Sequence, residues 1–479
     1  MNVLIAASEA MPFVKTGGLA DVAGALPREL LKIGVNAAVI MPRHSKIKRE
    51  YHDQLETVAA IDVRLGWRSK YLGIQTMEVK GVRYFFLDNE EYFGDAVYRG
   101  GDLESEQYLF FCRGVIAALP FLGFKTDVIH CNDWHTAMIP MLIKTQYGGT
   151  EWGGVKTVFT IHNIKFQGMM GFRLMSDYLS IPANYNTPEF VEAHGCANMM
   201  KAGLVFADWI TTVSPTYAEE ITNSFFGMGM EGIIGARKMG GRVTGIINGI
   251  DTDDFDPATD PALAKNYDVT TIIDKRENKK ALRDEFNLDI KLTTPIVSMV
   301  TRLTSQKGLD LVRYALEELL SEDMAFVILG SGDKEYEDFF NYIAGKYHGK
   351  AGVYLGYDEP LARRIYAGSD FLLMPSQFEP CGLSQMIAQR YGTLPIVRET
   401  GGLADTVTPL NKYTKTGDGF SFSAFNAHYM MTVINLALDV YRNDKPMLRL
   451  LKKNAMMKDS SFLTSAQKYC ELYETLLRS

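Results

Sequence analysis

A chain of 479 residues is too long for one hydrophobic core and predicts two domains, with three as the alternative. Its 47% hydrophobic and 22% charged residues are ordinary globular values, and the net charge of -7 argues against a nucleic-acid surface. The five cysteines are scattered without a Cys-x-x-Cys pair, and no apolar run is long enough to span a bilayer. We therefore expect a cytoplasmic protein with no metal site and neither a nucleic-acid nor a membrane partner.

The first half of the chain alternates short apolar strands with segments of helical period. Strands rich in Val and Ile are predicted at 3–7, 37–41, 127–131, 155–161 and 209–213. The helix after the first strand should be kinked or divided at Pro27 and should end at Gly34. Its apolar face consists of Leu19, Val22, Leu26, Leu30 and Ile33. Apolar strands joined by helices predict a parallel sheet covered on both faces.

A stretch rich in Asp, Thr and Pro then runs from Asn248 to about Tyr267 and is typical of a linker. Behind it, a second alternating series predicts strands at 296–301, 325–329, 352–355, 371–374 and 394–398. We predict an α/β protein of two doubly wound domains, residues 1–245 and 246–459, with a helix at about 460–479 completing the first. Ligands bind such sheets beyond the carboxyl ends of the strands.

The hexapeptide Thr-Gly-Gly-Leu-Ala-Asp occurs twice, at 16–21 and again at 400–405, each time between a predicted strand and a predicted helix. A Gly-Gly pair at a helix start lets backbone N–H groups approach an anion, which the helix dipole also favours. Two copies indicate two halves whose phosphate-binding ends face one cleft. The alternative is that glycine simply opens many helices.

In the first half, polar residues follow two predicted strands. Asp133 and His135 follow one strand, and His162 and Asn163 follow the next. His162 could equally be a polar cap on a strand, and His135 could merely satisfy backbone groups at the start of a helix.

In the second half, Arg302 and Lys307 bridge a strand end and a helix start, where two cations suit a diphosphate. The alternative is a pair of surface ion pairs worth little. Glu379 lies in a turn and could hold a polyhydroxylated group together with His162, or merely favour a helix N-terminus. Cys381 is more typical of a small buried residue than of a nucleophile. Cations placed here would stabilise the charge that develops on a departing nucleoside diphosphate.

These residues stand in segments that resemble the bacterial and plant glycogen/starch synthases, in the expected order over almost the whole chain. The matching segments are Lys15-Thr-Gly-Gly-Leu19, His130-Cys-Asn-Asp-Trp-His135, Thr160-Ile-His-Asn163, Asn248-Gly-Ile-Asp251, Thr301-Arg-Leu-Thr-Ser-Gln-Lys-Gly308, Phe378-Glu-Pro-Cys-Gly-Leu383 and Thr400-Gly-Gly-Leu403. The first and the Glu-Pro-Cys-Gly-Leu segment are the most specific, because the others are shared with wider groups of glycosyltransferases.

The resemblance implies a GT-B fold of two Rossmann-like domains and a retaining transfer of glucose from ADP-glucose to an α-1,4-glucan, without a cofactor. The residues implied in catalysis are His162, Glu379, Arg302, Lys307 and Lys15. The implied donor contacts are Lys15, Gly17, Gly18, Arg302, Lys307, Tyr357, Cys381, Gly382, Leu383, Thr400, Gly401 and Gly402. The implied sugar and acceptor pocket consists of Tyr98, Asp133, His162, Asn163 and Asn248.

One position departs from the wider pattern, because many retaining GT-B enzymes carry a second Glu where this chain has Ile387. Such a Glu commonly holds ribose hydroxyls, so nucleotide recognition must differ; synthases of the resembled type lack it too. Three other functions compete: a sugar-nucleotide epimerase, a non-catalytic glucan-binding protein and a pyridoxal-phosphate-dependent glucan phosphorylase. The charged donor-site residues argue against the first two, and the phosphorylases are typically much longer.

Overall fold

The computed structural model describes all 479 residues and divides the chain into two compact units. Unit 1 comprises residues 1–249 and 462–479, and unit 2 comprises residues 250–461. The sequence prediction placed the two boundaries between the units after residues 245 and 459, a few positions before those in the structure. No helix in the structure is both long and apolar enough to cross a membrane.

Unit 1 is built around one large sheet and a small one. Its strands are β1 (Asn2–Ala6), β2 (Asn36–Pro42), β3 (Glu56–Leu65), β4 (Arg68–Val79), β5 (Val82–Asp88), β6 (Val128–Asn132), β7 (Lys156–Ile161), β8 (Met169–Met170), β9 (Glu192–Ala193), β10 (Cys196–Asn198), β11 (Trp209–Thr212) and β12 (Val243–Gly245). Nine of them form the order β12-β11-β7-β6-β1-β2-β5-β4-β3, and β8, β10 and β9 form the small sheet. The large sheet is parallel from β12 to β5, whereas β3 and β4 add an antiparallel hairpin.

The helices of unit 1 connect these strands. They are α1 (Gly18–Lys32), α2 (Arg49–His52), α3 (Glu90–Phe93), α4 (Gly101–Ala118), α5 (Met138–Gln146), α6 (Phe172–Leu179), α7 (Met199–Phe206), α8 (Pro215–Glu220), α9 (Ser224–Gly227) and α10 (Glu231–Met239). Helix α1 ends as predicted, with Gly34 at a φ of 84° just beyond it. The predicted division at Pro27 is wrong, because α1 runs through Pro27 without a break. Leu26 and Leu30 are fully buried on this helix, and their packing offsets the lost hydrogen bond.

Unit 2 has a single six-stranded sheet. Its strands are β13 (Ile296–Val300), β14 (Ala325–Gly330), β15 (Ala351–Leu355), β16 (Phe371–Met374), β17 (Leu394–Arg398) and β18 (Phe420–Phe422). All pairs are parallel, in the order β15-β14-β13-β16-β17-β18. Its helices are α11 (Lys275–Glu285), α12 (Leu309–Ser321), α13 (Lys334–Lys346), α14 (Glu359–Gly368), α15 (Ser384–Arg390), α16 (Gly401–Thr406), α17 (Ala427–Asn443) and α18 (Lys445–Met457).

The stretch predicted to be a linker is instead packed onto unit 2. The guanidinium of Arg363 donates to the carbonyl and the carboxylate of Asp254 at 2.6 and 2.7 Å. Tyr391 donates its hydroxyl to Asp260 at 2.5 Å, and Tyr267 donates to the Tyr391 carbonyl at 2.7 Å. Asp and Pro in a sequence indicate irregular backbone, but they do not reveal whether that backbone is fixed by side chains that lie 109 or 131 positions further along the chain.

The last helix, α19 (Phe462–Arg478), belongs to unit 1. Its buried side chains, which include Leu472 and Leu476, join the core formed by α1 and the strands β1 and β2. The hydroxyl of Tyr473 lies 2.7 Å from Nδ1 of His130 on β6, and the hydroxyl of Ser465 donates to the Ile247 carbonyl at 2.7 Å. The helix is therefore a structural part of this unit.

We predict that Leu476→Ala lowers the free energy of unfolding of unit 1 by about 2–5 kcal/mol, because it leaves a cavity in the core. Leu477→Ala is the matched control on the same helix and should cost under about 0.5 kcal/mol. Leu476 is 1% exposed and Leu477 is 39% exposed. Denaturant titration followed by circular dichroism checks this, and equal losses in the two variants would contradict the packing of α19.

Candidate active site

In unit 2, the strand order reverses beside β13, whose neighbours β14 and β16 lie on opposite sides. Ligands of doubly wound sheets bind where this reversal opens a crevice beyond the carboxyl ends. Lys307 follows β13, and Glu379 follows β16. The sequence prediction had placed Lys307 at the helix start after one strand and Glu379 in the turn after another, and the topology puts those two strands side by side.

Close approaches of backbone draw three turns of unit 2 together. A side-chain carbon on Gly308, where φ is 71°, would lie 2.0 Å from the carbonyl oxygen of Pro375. One on Gly401, where φ is 46°, would lie 2.0 Å from the carbonyl oxygen of Glu379. Only glycine can occupy these positions without displacing the neighbouring turn. The Lys307, Glu379 and Gly401 segments are thus held as one assembly.

A largely buried ion pair lies at the centre of this assembly. The ammonium group of Lys307 is 2.6 Å from Oε2 of Glu379, and the two side chains are 14% and 8% exposed. The hydroxyl of Ser376 donates to the same oxygen at 2.9 Å. Arg302, two residues after the end of β13, has an exposed side chain. A buried, paired cation beside an exposed one is an arrangement that can receive a polyphosphate.

The other predicted donor contacts of unit 2 line the same turns. The side-chain amide of Gln385 donates to the carbonyls of Cys381 and Gly382, at 3.1 and 2.9 Å, and Leu383 directly precedes α15. The N–H of Gly402 is bonded to the carbonyls of Glu379 and Pro380, so it faces its own unit. Thr400 is buried at the start of α16. Tyr357 lies apart from these turns after β15, and its ring is 70% exposed.

In unit 1, the strand order reverses between β1 and β6, and the first Gly-Gly turn follows β1. Here the buried carboxylate of Glu9 accepts the Thr16 N–H at 2.5 Å, and the nearby Gly17 N–H also lowers its pKa. Lys15 forms an ion pair with Asp21, in the first turn of α1, at 2.8 Å. An internal carboxylate therefore occupies part of the anion-binding capacity that the sequence had assigned to this turn.

After β6, Asp133 adopts a φ of 56°, which is uncommon outside glycine. Its Oδ1 accepts the N–H groups of His162 and Asn163, at 2.7 and 3.3 Å. Burial raises the pKa of Asp133 to about 7, and nearby Glu9 adds to this. Burial lowers the pKa of His162 to about 3, so its imidazole is neutral at physiological pH. Nε2 of His162 lies 2.9 Å from Oδ1 of Asn132.

Tyr98 contacts both the segment after β1 and the segment after β6. Its hydroxyl is 3.1 Å from the Ser8 hydroxyl, and its ring stacks on His135 with centroids 4.9 Å apart. Burial and the charge of Glu9 raise the pKa of Tyr98. His135 is buried among aromatic rings, where it packs rather than presenting a reactive nitrogen to solvent. Asn248 is 5% exposed and follows β12.

Sequence reasoning overlooked Glu9 and Ser376. Both residues follow the carboxyl end of a strand at a reversal of strand order, β1 and β16 respectively. The rule that located Lys307 and Asp133 applies equally to them. A search of every polar residue within a few positions of those strand ends would have found both.

Comparison with known proteins identifies the family. Residues 2–236 match the family model of the starch synthase catalytic domain, and residues 281–456 match that of group 1 glycosyl transferases. Over its whole length the chain is 48% identical to a glycogen synthase of Geobacillus thermodenitrificans, of which it covers 98%. It is also 48% identical to a glycogen synthase of Bacillus cereus, of which it covers 100%. The chain belongs to the glycogen synthase family.

Solved structures agree with this assignment. The catalytic domain of Starch Synthase IV from Arabidopsis thaliana, bound to ADP and acarbose, matches with a TM-score of 0.92 and 32% identity. That match covers 100% of this chain and 99% of the plant domain. A sucrose-phosphate synthase from Thermosynechococcus elongatus, at 16% identity and a TM-score of 0.63, shares the fold alone. The predicted GT-B fold and the predicted glycosyltransferase class are confirmed.

The raised pKa of Asp133 predicts how pH changes stability. The pKa of an aspartate carboxyl group is ordinarily 3.8, the value expected in the unfolded chain, and that of Asp133 is about 7 in the folded protein. The folded state therefore binds the proton more tightly. This contribution to stability is complete below about pH 4 and is lost as the pH rises through about 7. Asp133→Asn cannot ionise and should lessen that loss by up to about 4 kcal/mol.

Thermal unfolding of the two proteins across this pH range measures the difference. Asp62→Asn, at an exposed position of β3, is the control and should follow the wild type. A wild-type and an Asp133→Asn curve that stay parallel over the range would contradict the assignment.

Proposed function

We propose that the protein transfers glucose from ADP-glucose to the 4-hydroxyl at the non-reducing end of an α-1,4-glucan, with retention of configuration. The buried Lys307–Glu379 pair at the reversal of strand order in unit 2 is the observation that carries this proposal. The relatives are named glycogen synthases, which supports a glucan as the acceptor. The ADP and acarbose bound to the Arabidopsis domain support an adenine nucleotide donor and a sugar ligand.

Each candidate residue has a role that its surroundings allow. Lys307, Arg302 and Lys15 neutralise the diphosphate and stabilise the charge that grows on it as the glycosidic bond breaks. When a phosphate takes Lys307, the carboxylate of Glu379 becomes available to accept hydrogen bonds from glucose hydroxyls. His162 stays neutral because burial lowers its pKa to about 3, so it binds the sugar by hydrogen bonding rather than by charge.

The backbone turns and pocket residues complete the proposed site. Gly18, Leu383 and Gly401 lie at helix starts, where N–H groups suit phosphate oxygens. Gly17, Thr400 and Gly402 are proposed to shape the two turns, because the Gly17 N–H acts on the Glu9 carboxylate and the N–H groups of Thr400 and Gly402 bond to main-chain carbonyls. Tyr357 offers an exposed ring to the adenine, and Cys381 and Gly382 shape the turn beside Glu379. The sugar and acceptor pocket is proposed to consist of Tyr98, Asp133, His162, Asn163 and Asn248.

Retention follows if the acceptor attacks from the face that the diphosphate leaves. The acceptor 4-hydroxyl then forms the new bond to the glucose anomeric carbon while the bond from that carbon to the phosphate oxygen breaks. The proton of the hydroxyl passes to the departing phosphate, which makes a protein base unnecessary. That the reaction needs no metal or other cofactor, and that the protein is cytoplasmic, remain predictions.

We predict glucose transfer from ADP-glucose to a maltooligosaccharide, with a product linkage that is α by NMR. Transfer from UDP-glucose should be slower under the same conditions. A β-linked product would contradict retention, and epimerised sugar nucleotide in the absence of glucan would favour the epimerase alternative. No transfer from either donor would contradict the proposed function itself.

Lys307→Ala should lower kcat by about 10²–10³, because one preorganised contact to developing charge is lost. The matched control is Lys346→Ala in the same unit. Lys346 also lies 2.6 Å from a glutamate oxygen, that of Glu317, but on an exposed surface. Steady-state kinetics with ADP-glucose, after circular dichroism has shown both variants folded, should therefore separate them. Comparable kcat values in the two variants would contradict the role of Lys307.

A further inference from the structure

We propose that Glu9 is a positioning residue, whose ionised carboxylate holds the Lys15–Gly18 turn in the conformation that binds the donor. This inference rests on the proposed contact between Lys15 and the donor phosphates. It adds a proton-dependent control on donor affinity that the proposed transfer does not itself require.

The geometry ties Glu9 to the turn and to little else. Glu9 is 1% exposed, and its Oε2 accepts the Thr16 N–H at 2.5 Å. The Thr16 hydroxyl and the Gly17 N–H also favour the ionised carboxylate and thereby lower the pKa of Glu9. A side-chain carbon on Gly17 would lie 3.7 Å from Oε1 of Glu9. Thr16 and Gly17, the two residues between Lys15 and α1, therefore both lie against the carboxyl group of Glu9.

The charges around Glu9 leave it without a cationic partner. Lys15 is paired with Asp21 at 2.8 Å, and Asp21 raises the pKa of Glu9 by repulsion. Tyr98, from the segment before α4, and Asp133, after β6, both sense the charge of Glu9. Burial is the largest influence, and the pKa of Glu9 is raised to about 7. The hydrogen bonds from the turn are what favour the ionised form.

Protonation changes what the carboxyl group can hold. An ionised carboxylate accepts at both oxygens, whereas the acid keeps one carbonyl oxygen and turns the other into a donor. The acid therefore holds the Thr16 N–H less strongly than the carboxylate does, because a neutral acid is a weaker acceptor than a charged one. Because Lys15 directly precedes Thr16 and Gly17, its ammonium group shifts when they move. Donor affinity should accordingly fall as the pH drops below 7.

The test is calorimetric titration of ADP-glucose into the whole protein without glucan, at about pH 8 and about pH 5.5, where the donor diphosphate itself does not change its charge. We expect the wild-type Kd to rise about tenfold at the lower pH, the order expected when one charge-assisted hydrogen bond is lost. Glu9→Gln, which accepts one N–H and cannot ionise, should bind weakly and equally at both pH values.

Two matched variants exclude other causes. Glu104→Gln removes another partly buried carboxylate that accepts a backbone N–H, that of Gly100 at 2.7 Å, and should retain the wild-type change in Kd. Asp133→Asn tests the other carboxyl group that titrates in the same range. Its Kd is compared only with itself at the two pH values, because Asp133 belongs to the proposed sugar pocket, and that Kd should still rise at the lower pH. A Glu9→Gln protein that keeps the wild-type change, or that binds as tightly as wild type at the higher pH, would overturn the proposal.

The wild type alone also decides the matter if Glu9→Gln does not fold. A wild-type Kd that is equal at the two pH values would overturn the inference while transfer activity persists. If the wild type binds no ADP-glucose at either pH, the proposed function falls with it. Abolition of the pH effect by Asp133→Asn would assign the effect to Asp133 and overturn the role of Glu9.

Discussion

Lys307 and Glu379 are separated by 2.6 Å, and at most 14% of either side chain is exposed. A buried ion pair contributes little net stability, because the desolvation of two charges offsets most of their attraction. Its removal from one side, however, leaves an unpaired buried charge. The pair therefore keeps a cation and a carboxylate ready at the strand ends of unit 2 at small net cost. The Gly308 and Gly401 turns approach the backbone of Pro375 and of Glu379 closely, which holds the segments that carry the pair together.

The repeated hexapeptide serves different purposes in the two units. In unit 1 the Thr16 N–H of the turn donates to the carboxylate of Glu9, whereas in unit 2 the Gly402 N–H donates to main-chain carbonyls of the Glu379 segment. The helices that follow also differ, since α1 has 15 residues and α16 has six. The same six letters thus give a turn anchored by a charge in one unit and a turn anchored by backbone in the other.

Sequence patterning was sufficient for the architecture and for most of the candidate site. Continuous apolar runs rich in Val and Ile, alternating with helical faces, predicted both parallel sheets. The rule that ligands bind beyond the strand ends directed attention to Asp133, His162, Lys307 and Glu379. Contacts distant in sequence escaped it. Nothing local shows that Tyr473 meets His130, 343 positions away. The division of α1 at Pro27, predicted from local sequence, did not occur, because the helix continues through Pro27 among buried neighbours. The charge state of Glu9 depends on depth of burial, which no spacing encodes.

The central claim is that the Lys307–Glu379 pair opens to receive a diphosphate. A crystal structure of the protein with ADP bound tests this most directly. We expect the ammonium of Lys307 and the guanidinium of Arg302 within about 3 Å of phosphate oxygens, the distance of charge-assisted hydrogen bonds. Oε2 of Glu379 should then no longer be the principal partner of Lys307. ADP bound elsewhere, with this pair intact and both cations remote from phosphorus, would contradict the account.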